Sequence, residues 1–270
     1  MYDIDPDDGD SASEEGLPSK RRRGIYLLPN LFTTAGLFAG FYAIVAAINY
    51  RFEAAAIAIF IAMIMDSIDG RVARLTNTES DFGAEYDSMA DLVSFGLAPA
   101  LVVYVWGLSS MGKIGWLAAF IYAAAAALRL ARFNTQVGSA DKRYFQGLPS
   151  PSAAAIVAGM VWVGIDNGYK GSSVILPALL LTVLAGLLMV SKIRYHSFKE
   201  LDLKGKVPFV TLLVLVLVFV LIFSDPSKVL FAVFLLYALS GPVLNFMQLR
   251  KKRLLRKTQE EMGAPPKNPS

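Results

Sequence analysis

The chain has 270 residues, 55% of them Ala, Val, Ile, Leu, Met, Phe, Trp, Tyr or Cys, with only 18% charged and no cysteine. With a mean hydropathy of +0.49, this composition excludes a disordered chain, a disulfide-built secreted domain and a cysteine-ligated metal or iron–sulfur protein. The formal charge of +4 hides a segregation, because seven acids (Asp3, Asp5, Asp7, Asp8, Asp10, Glu14 and Glu15) fall in the first 15 residues. His196 is the single histidine, which removes most zinc chemistry, so any metal should be held by oxygen.

Residues 1–19 read as an acidic solvated tail and not as a cleavable signal, which would open on a basic region before a short apolar core. Lys20-Arg21-Arg22-Arg23 then reads as a juxtamembrane anchor. Eight apolar segments follow at roughly 28–49, 52–75, 82–108, 114–135, 151–168, 173–192, 207–224 and 227–249, of the length needed to cross a bilayer. The expected fold is therefore all-α, a polytopic membrane protein of about eight transmembrane helices. One membrane domain spans 20–250, and a basic cytoplasmic tail occupies 251–270.

Assigning alternate loops to the two sides places 22 of the 26 Lys and Arg residues on one side, leaving Arg51, Lys113, Lys170 and Lys228 on the other. The positive-inside rule then puts both termini and the loop from Thr76 to Asp81 in the cytoplasm. Arg250-Lys251-Lys252-Arg253, directly after a span, reads as a topology signal or an anionic-lipid contact, with no nucleic-acid partner expected. Gly36-x-x-x-Gly40 and Ala123 to Ala127 permit close helix contacts.

The densest chemistry lies between the second and third segments. Asp66 and Asp69 end one helix, and Asp87 and Asp91 begin the next. At about 100° per residue each pair shares a helix face, roughly 60° apart in the first and 40° in the second. The turn from Leu75 to Ser80 is short enough to make the two helices antiparallel neighbours, so that the faces converge. An acid at a span's centre costs roughly 2.5–3.5 kcal/mol, and four together repel, so a positive species should occupy the site. Hard divalent cations, Mg²⁺ or Mn²⁺ with Ca²⁺ as a third candidate, suit all-oxygen ligands, and two such ions could clamp a diphosphate. Gly70 and Gly83 would let a substrate approach the backbone, and Ala73 keeps the same face narrow. Intramembrane acids also mark cation or proton-coupled transporters, but a transport path explains neither the glycines nor the tight clustering.

The run Asp66-x-x-Asp69-Gly70-x-x-Ala73-Arg74, then eight residues, then Gly83-x-x-x-Asp87-x-x-x-Asp91 resembles the signature of the CDP-alcohol phosphotransferases, membrane enzymes of phospholipid synthesis. The resemblance implies that Asp66, Asp69 and Asp87 bind a pair of divalent ions. It makes Asp91, counted with the metal cluster, the general base for the acceptor alcohol. It further implies that Gly70, Ala73 and Gly83 line the cytidine pocket and that Arg74 supports the acidic cluster.

Residues Ala127 to Asn134, Phe145 to Ala154 and Leu28 to Thr33 are similar to the phosphatidylserine synthase branch of that family. The implied substrates are CDP-diacylglycerol and L-serine, the implied products phosphatidylserine and CMP. Asn30 is assigned to CDP-diacylglycerol binding or, after Pro29, to a helix cap. Arg129 and Arg132, at i and i+3, either hold the serine carboxylate or snorkel to anionic headgroups, and Asn134 adds a mixed donor and acceptor. Glycerol 3-phosphate or inositol phosphate is the alternative acceptor. A homodimer in the cytoplasmic membrane, with its site facing the cytoplasm, completes the expectation.

Overall fold

The computed structural model describes residues 21–76, 78, 80–135, 144–196 and 209–263. The acidic stretch 1–19, Lys20, Lys142, Arg143, much of the basic loop before 207 and the end of the basic tail lie outside them. The described elements are helices α1 (Arg21–Ile48), α2 (Phe52–Thr76), α3 (Asp81–Asp91), α4 (Ala98–Trp106) and α5 (Lys113–Thr135), followed by α6 (Ser150–Asp166), α7 (Ile175–Val190), α8 (Phe209–Ser224) and α9 (Pro226–Gly263). A π-helical turn, Leu92–Leu97, joins α3 to α4 into one rod.

The chain is an all-α membrane protein. Among the described residues, five stretches are long and apolar enough to cross a bilayer: Leu28–Ile48, Asp81–Trp106, Lys113–Thr135, Gly171–Val190 and Pro226–Met247. Helix α2 is 25 residues long but carries Asp66, Asp69, Arg71 and Arg74 in its C-terminal part, and α6 and α8 are shorter apolar helices. Their surfaces fit a lipid solvent. Leu, Phe and Val side chains of α1, α5, α7, α8 and α9 stand exposed, while the buried interior is built largely from Ala and other small residues that let backbones come close. Helix α6 is the central element, with residues 152–159 all buried, packed on α2, α4, α7 and α9.

The π turn has a local cause. Pro99 has no N–H, so the Phe95 carbonyl four residues earlier lacks its α-helical donor. The backbone takes the wider register, with Ala98 N–H bonded to the Val93 carbonyl. The Phe95 carbonyl instead accepts from the Tyr122 hydroxyl of α5 at 3.0 Å, inside the core. The turn also presents Ser94, whose hydroxyl donates to the Gly36 carbonyl of α1 at 3.1 Å. Here Gly40 has a definite purpose, because a Cβ on it would lie 2.4 Å from Ser94 Oγ and 2.7 Å from Ser94 Cα. The Gly36-x-x-x-Gly40 pair is thus where α1 meets the rod that carries Asp87 and Asp91.

One feature has no counterpart in the sequence reading. Strands β1 (Tyr144–Gln146) and β2 (Arg194–His196) form a short antiparallel ladder with Phe145 opposite Tyr195. It links the segment before α6 to the segment after α7. Gly147 turns the chain out of β1 with φ of +82°, and a Cβ there would collide with the Met189 carbonyl, so only glycine serves.

Two outcomes check this arrangement. Gly40→Ala should destabilise the detergent-solubilised protein by about 1–3 kcal/mol, the scale of an overpacked core site, read as a lowered Tm, whereas Gly70→Ala, helical and with no neighbour within 4 Å of the added Cβ, should leave Tm unlowered. For topology, the cysteine-free chain permits single replacements at the exposed Leu75 and Ser109. An impermeant thiol reagent should label Leu75→Cys from the cytoplasmic side and Ser109→Cys from the opposite side.

Candidate active site at the end of helices α2 and α3

Helix α2 ends and α3 begins around a turn that brings their acids together. Ser80 caps α3, its Oγ accepting from the Gly83 amide at 3.1 Å, which orients the first turn so that Asp87 and Asp91 face back toward α2. One carboxylate oxygen each from Asp66, Asp69 and Asp87 lies within 4.8 Å of the others. Asp91, one turn beyond Asp87, stands outside that triad but lines the same cleft between α1, α2 and α3, together with Thr33 and Ser94. Periodicity had placed these four acids on converging faces, and the structure brings them together.

Asp69 is 5% exposed, and its Oδ2 accepts from the buried Thr33 hydroxyl of α1 at 2.9 Å. That bond fixes one carboxylate while leaving oxygen lone pairs for another ligand. Three anionic oxygens so close, with no nitrogen or sulfur donor among them, repel each other in a medium that screens poorly. The donor set fits a hard divalent cation, and the three Asp residues can hold a metal ion.

The residues expected to receive the nucleotide lie on the open side. Gly70 is exposed, and a Cβ on it would meet nothing within 4 Å. Gly83 sits beside Asn30, whose Oδ1 would be 3.5 Å from a Cβ at that glycine. Ala73 is half-buried. Arg74 folds back along its own helix, its Nε donating to the Gly70 carbonyl at 2.8 Å. Thr34 and Tyr86 bridge α1 to α3 through their hydroxyls at 2.9 Å.

The three residues expected to hold the acceptor separate. Arg129 points inward, its Nη1 donating to the Ser150 hydroxyl at the start of α6, and it interacts electrostatically with Asp91, Tyr237 and Asp66. Its Nε is buried with no hydrogen-bond partner among the described residues. Arg132 instead donates from Nη1 to the Val190 carbonyl at the end of α7, 3.1 Å away. Asn134 ties α5 to α3, accepting from Ser88 Oγ at 3.1 Å and donating to Glu85 Oε2 at 3.4 Å. Thr33, Ser94 and Ser150 are contributors that sequence reasoning did not single out. Hydroxyl residues in apolar helices opposite an acidic motif were the available signal.

The CDP-alcohol phosphatidyltransferase family matches residues 26–191, which run from α1 to the end of α7. A CDP-diacylglycerol–serine O-phosphatidyltransferase of Helicobacter pylori is 39% identical over 238 residues, covering 87% of this chain and 97% of the relative. Proteins of the same name from Mycobacterium tuberculosis and Methanocaldococcus jannaschii are 41% and 42% identical over 155 and 140 residues. Those shorter alignments take in 54% and 52% of this chain and 54% and 62% of the respective relatives. The match spans the acidic motif, both glycines and the helix that bears Arg129, and on it the chain belongs to the CDP-alcohol phosphatidyltransferase family.

Proposed function

We propose that this enzyme transfers the phosphatidyl group of CDP-diacylglycerol to L-serine, giving phosphatidylserine and CMP. The observation that carries the reading is one cleft lined by a triad of converging carboxylates and a fourth acid one turn away, with a buried arginine in electrostatic reach of that fourth acid. The serine assignment is supported by the names of relatives aligned along most of the chain.

In this reading Asp66, Asp69 and Asp87 hold Mg²⁺ or Mn²⁺, two ions in all. Divalent cations bound there would supply positive charge against the diphosphate. Gly70, Ala73, Gly83, Asn30 and Arg74 receive the nucleotide on the cleft's open side. Asp91 takes the proton of the serine hydroxyl. The freed oxygen forms a bond to the phosphorus that bears diacylglycerol, the bond from that phosphorus to the CMP oxygen breaks, and CMP leaves with its electron pair. No covalent enzyme intermediate is needed.

Arg129 holds the serine carboxylate. A buried guanidinium nitrogen without an acceptor costs about 1–3 kcal/mol, and a bound carboxylate removes that cost while placing the serine hydroxyl toward Asp91. A planar fork suits this task better than a point charge. Arg132 and Asn134 act at one remove, through the α5 contacts to α7 and α3. Eight spans, both termini in the cytoplasm, a single domain over 20–250, assembly as a homodimer and a site open to the cytoplasm of the inner membrane complete the proposal. The nucleotide and serine then arrive from water while the acyl chains remain in lipid.

Chelation should abolish CMP release. Asp66→Asn, Asp69→Asn and Asp87→Asn should weaken Mn²⁺ binding as well as turnover, since each removes a ligand and a charge. Asp91→Asn should keep Mn²⁺ and CDP-diacylglycerol affinity and lose about 10²- to 10⁴-fold in kcat, the usual worth of a general base. Loss of metal affinity in Asp91→Asn equal to that in Asp87→Asn would contradict the division of roles. Arg129→Lys should raise the serine KM roughly 10- to 100-fold, on the scale of a charge-assisted hydrogen bond of about 1.5–3 kcal/mol, with the CDP-diacylglycerol KM unchanged.

A further inference from the structure

Helix α9 contains Pro242 in its interior. Proline brings no N–H, so the carbonyl of Ala238, four residues earlier, has no donor within its helix. Away from water such a group needs another partner. It finds one outside the helical bundle: the Tyr195 hydroxyl, carried on β2, donates to the Ala238 carbonyl at 3.0 Å. The ring of Tyr195 is 1% exposed and fills the notch left by Gly241, where a Cβ would come within 2.4 Å of ring carbons. Burial pushes the Tyr195 hydroxyl up to about 12, so it stays a donor through the neutral range. The ring also packs against Tyr237 of α9, with centroids 5.6 Å apart and planes inclined by 48°.

From this anchor two routes lead to Arg129. Along the chain, Tyr195 pairs with Phe145 of β1. After β1, the Gly147 amide donates to the Ile193 carbonyl at 2.8 Å and the Leu148 amide to the Leu188 carbonyl at 3.0 Å. Two residues later comes Ser150, fully buried, whose hydroxyl accepts from Arg129. Across space, Tyr237 packs against Tyr195 and interacts electrostatically with Arg129. Arg132, bonded to the Val190 carbonyl, pins α5 to the α7 end of the same strap.

We propose that Tyr195 is a positioning residue for the acceptor: by anchoring the β1–β2 strap to the carbonyl that Pro242 leaves open, it fixes Ser150 and through it the guanidinium of Arg129. The proposal rests on the reading that Arg129 receives the serine carboxylate. It differs from a purely structural role because the strap leads into Ser150, the hydrogen-bond partner of Arg129, so its loss should fall on the substrate that Arg129 receives.

Steady-state kinetics of the purified full-length enzyme, with serine and CDP-diacylglycerol varied separately, tests this. Tyr195→Phe removes only the hydroxyl and should raise the serine KM about five- to tenfold, the scale of one neutral hydrogen bond. The kcat at saturating serine, the CDP-diacylglycerol KM and Mn²⁺ binding should stay within about twofold. Gly241→Ala, which displaces the ring from the α9 side, should reproduce the same selective defect and stands in should Tyr195→Phe fail to accumulate. An unchanged serine KM in these variants overturns the proposal, as does a parallel fall of kcat and rise of both KM values. Arg129→Lys, run alongside, separates the two levels. A raised serine KM in Arg129→Lys with Tyr195→Phe like wild type overturns the strap alone, while normal serine use by Arg129→Lys overturns the acceptor reading beneath it.

Discussion

Repulsion among the carboxylates of Asp66, Asp69 and Asp87 is the constraint on which the rest of the structure depends. Three anionic oxygens within 4.8 Å of each other, set into an apolar bundle, would drive α2 and α3 apart unless other contacts hold those helices in place. Among the described residues, the donors in these holding contacts are uncharged hydroxyls. Thr33 bonds Asp69 from α1, Ser94 bonds the Gly36 backbone, Gly40 admits the π turn, and Tyr122 satisfies the carbonyl that Pro99 exposes. Backbone proximity and hydroxyl bonds thus hold the helices together here, and the three carboxylates can hold a metal ion.

The same economy of devices recurs on the acceptor side. In both places a proline deprives a helical carbonyl of its donor, and a tyrosine from a different element supplies one: Tyr122 to Phe95 before Pro99, Tyr195 to Ala238 before Pro242. Each bond is specific because no water competes for the carbonyl. The first shapes the rod that bears Asp87 and Asp91. The second fastens the β1–β2 ladder that leads into Ser150, the partner of Arg129. In the proposed function these two separate cross-links locate the metal side and the acceptor side, and Arg129 interacts with Asp91 where the two approach.

Much of the site was legible before any coordinates because its order is local. Asp66 with Asp69, and Asp87 with Asp91, obey the helical period, and a turn from Leu75 to Ser80 leaves few ways to pack the two helices. The apolar runs are local in the same sense. The arginine pair shows where this logic stops. Arg129 and Arg132 share a face by periodicity, yet one reaches Ser150 and the other the Val190 carbonyl, because three residues along a helix also shift a side chain by about 4.5 Å along the axis into a different neighbourhood. The β1–β2 ladder was illegible for a related reason. Each strand is three residues long, and the partners lie some 50 residues apart in sequence, with helices between them. Pro99 and Pro242 were visible as missing donors, but which hydroxyl would answer each depends on packing across the bundle.

In the proposed function a carboxylate cleft directs serine onto CDP-diacylglycerol. The decisive measurement is CMP release from CDP-diacylglycerol by the purified protein in Mg²⁺ or Mn²⁺, with serine, glycerol 3-phosphate and inositol phosphate offered one at a time. CMP should appear in step with phosphatidylserine when serine is present, with little release for either phosphorylated alcohol. A preference for glycerol 3-phosphate or inositol phosphate would contradict the role given to Arg129, and absence of CMP release with every acceptor would contradict the transferase reading itself.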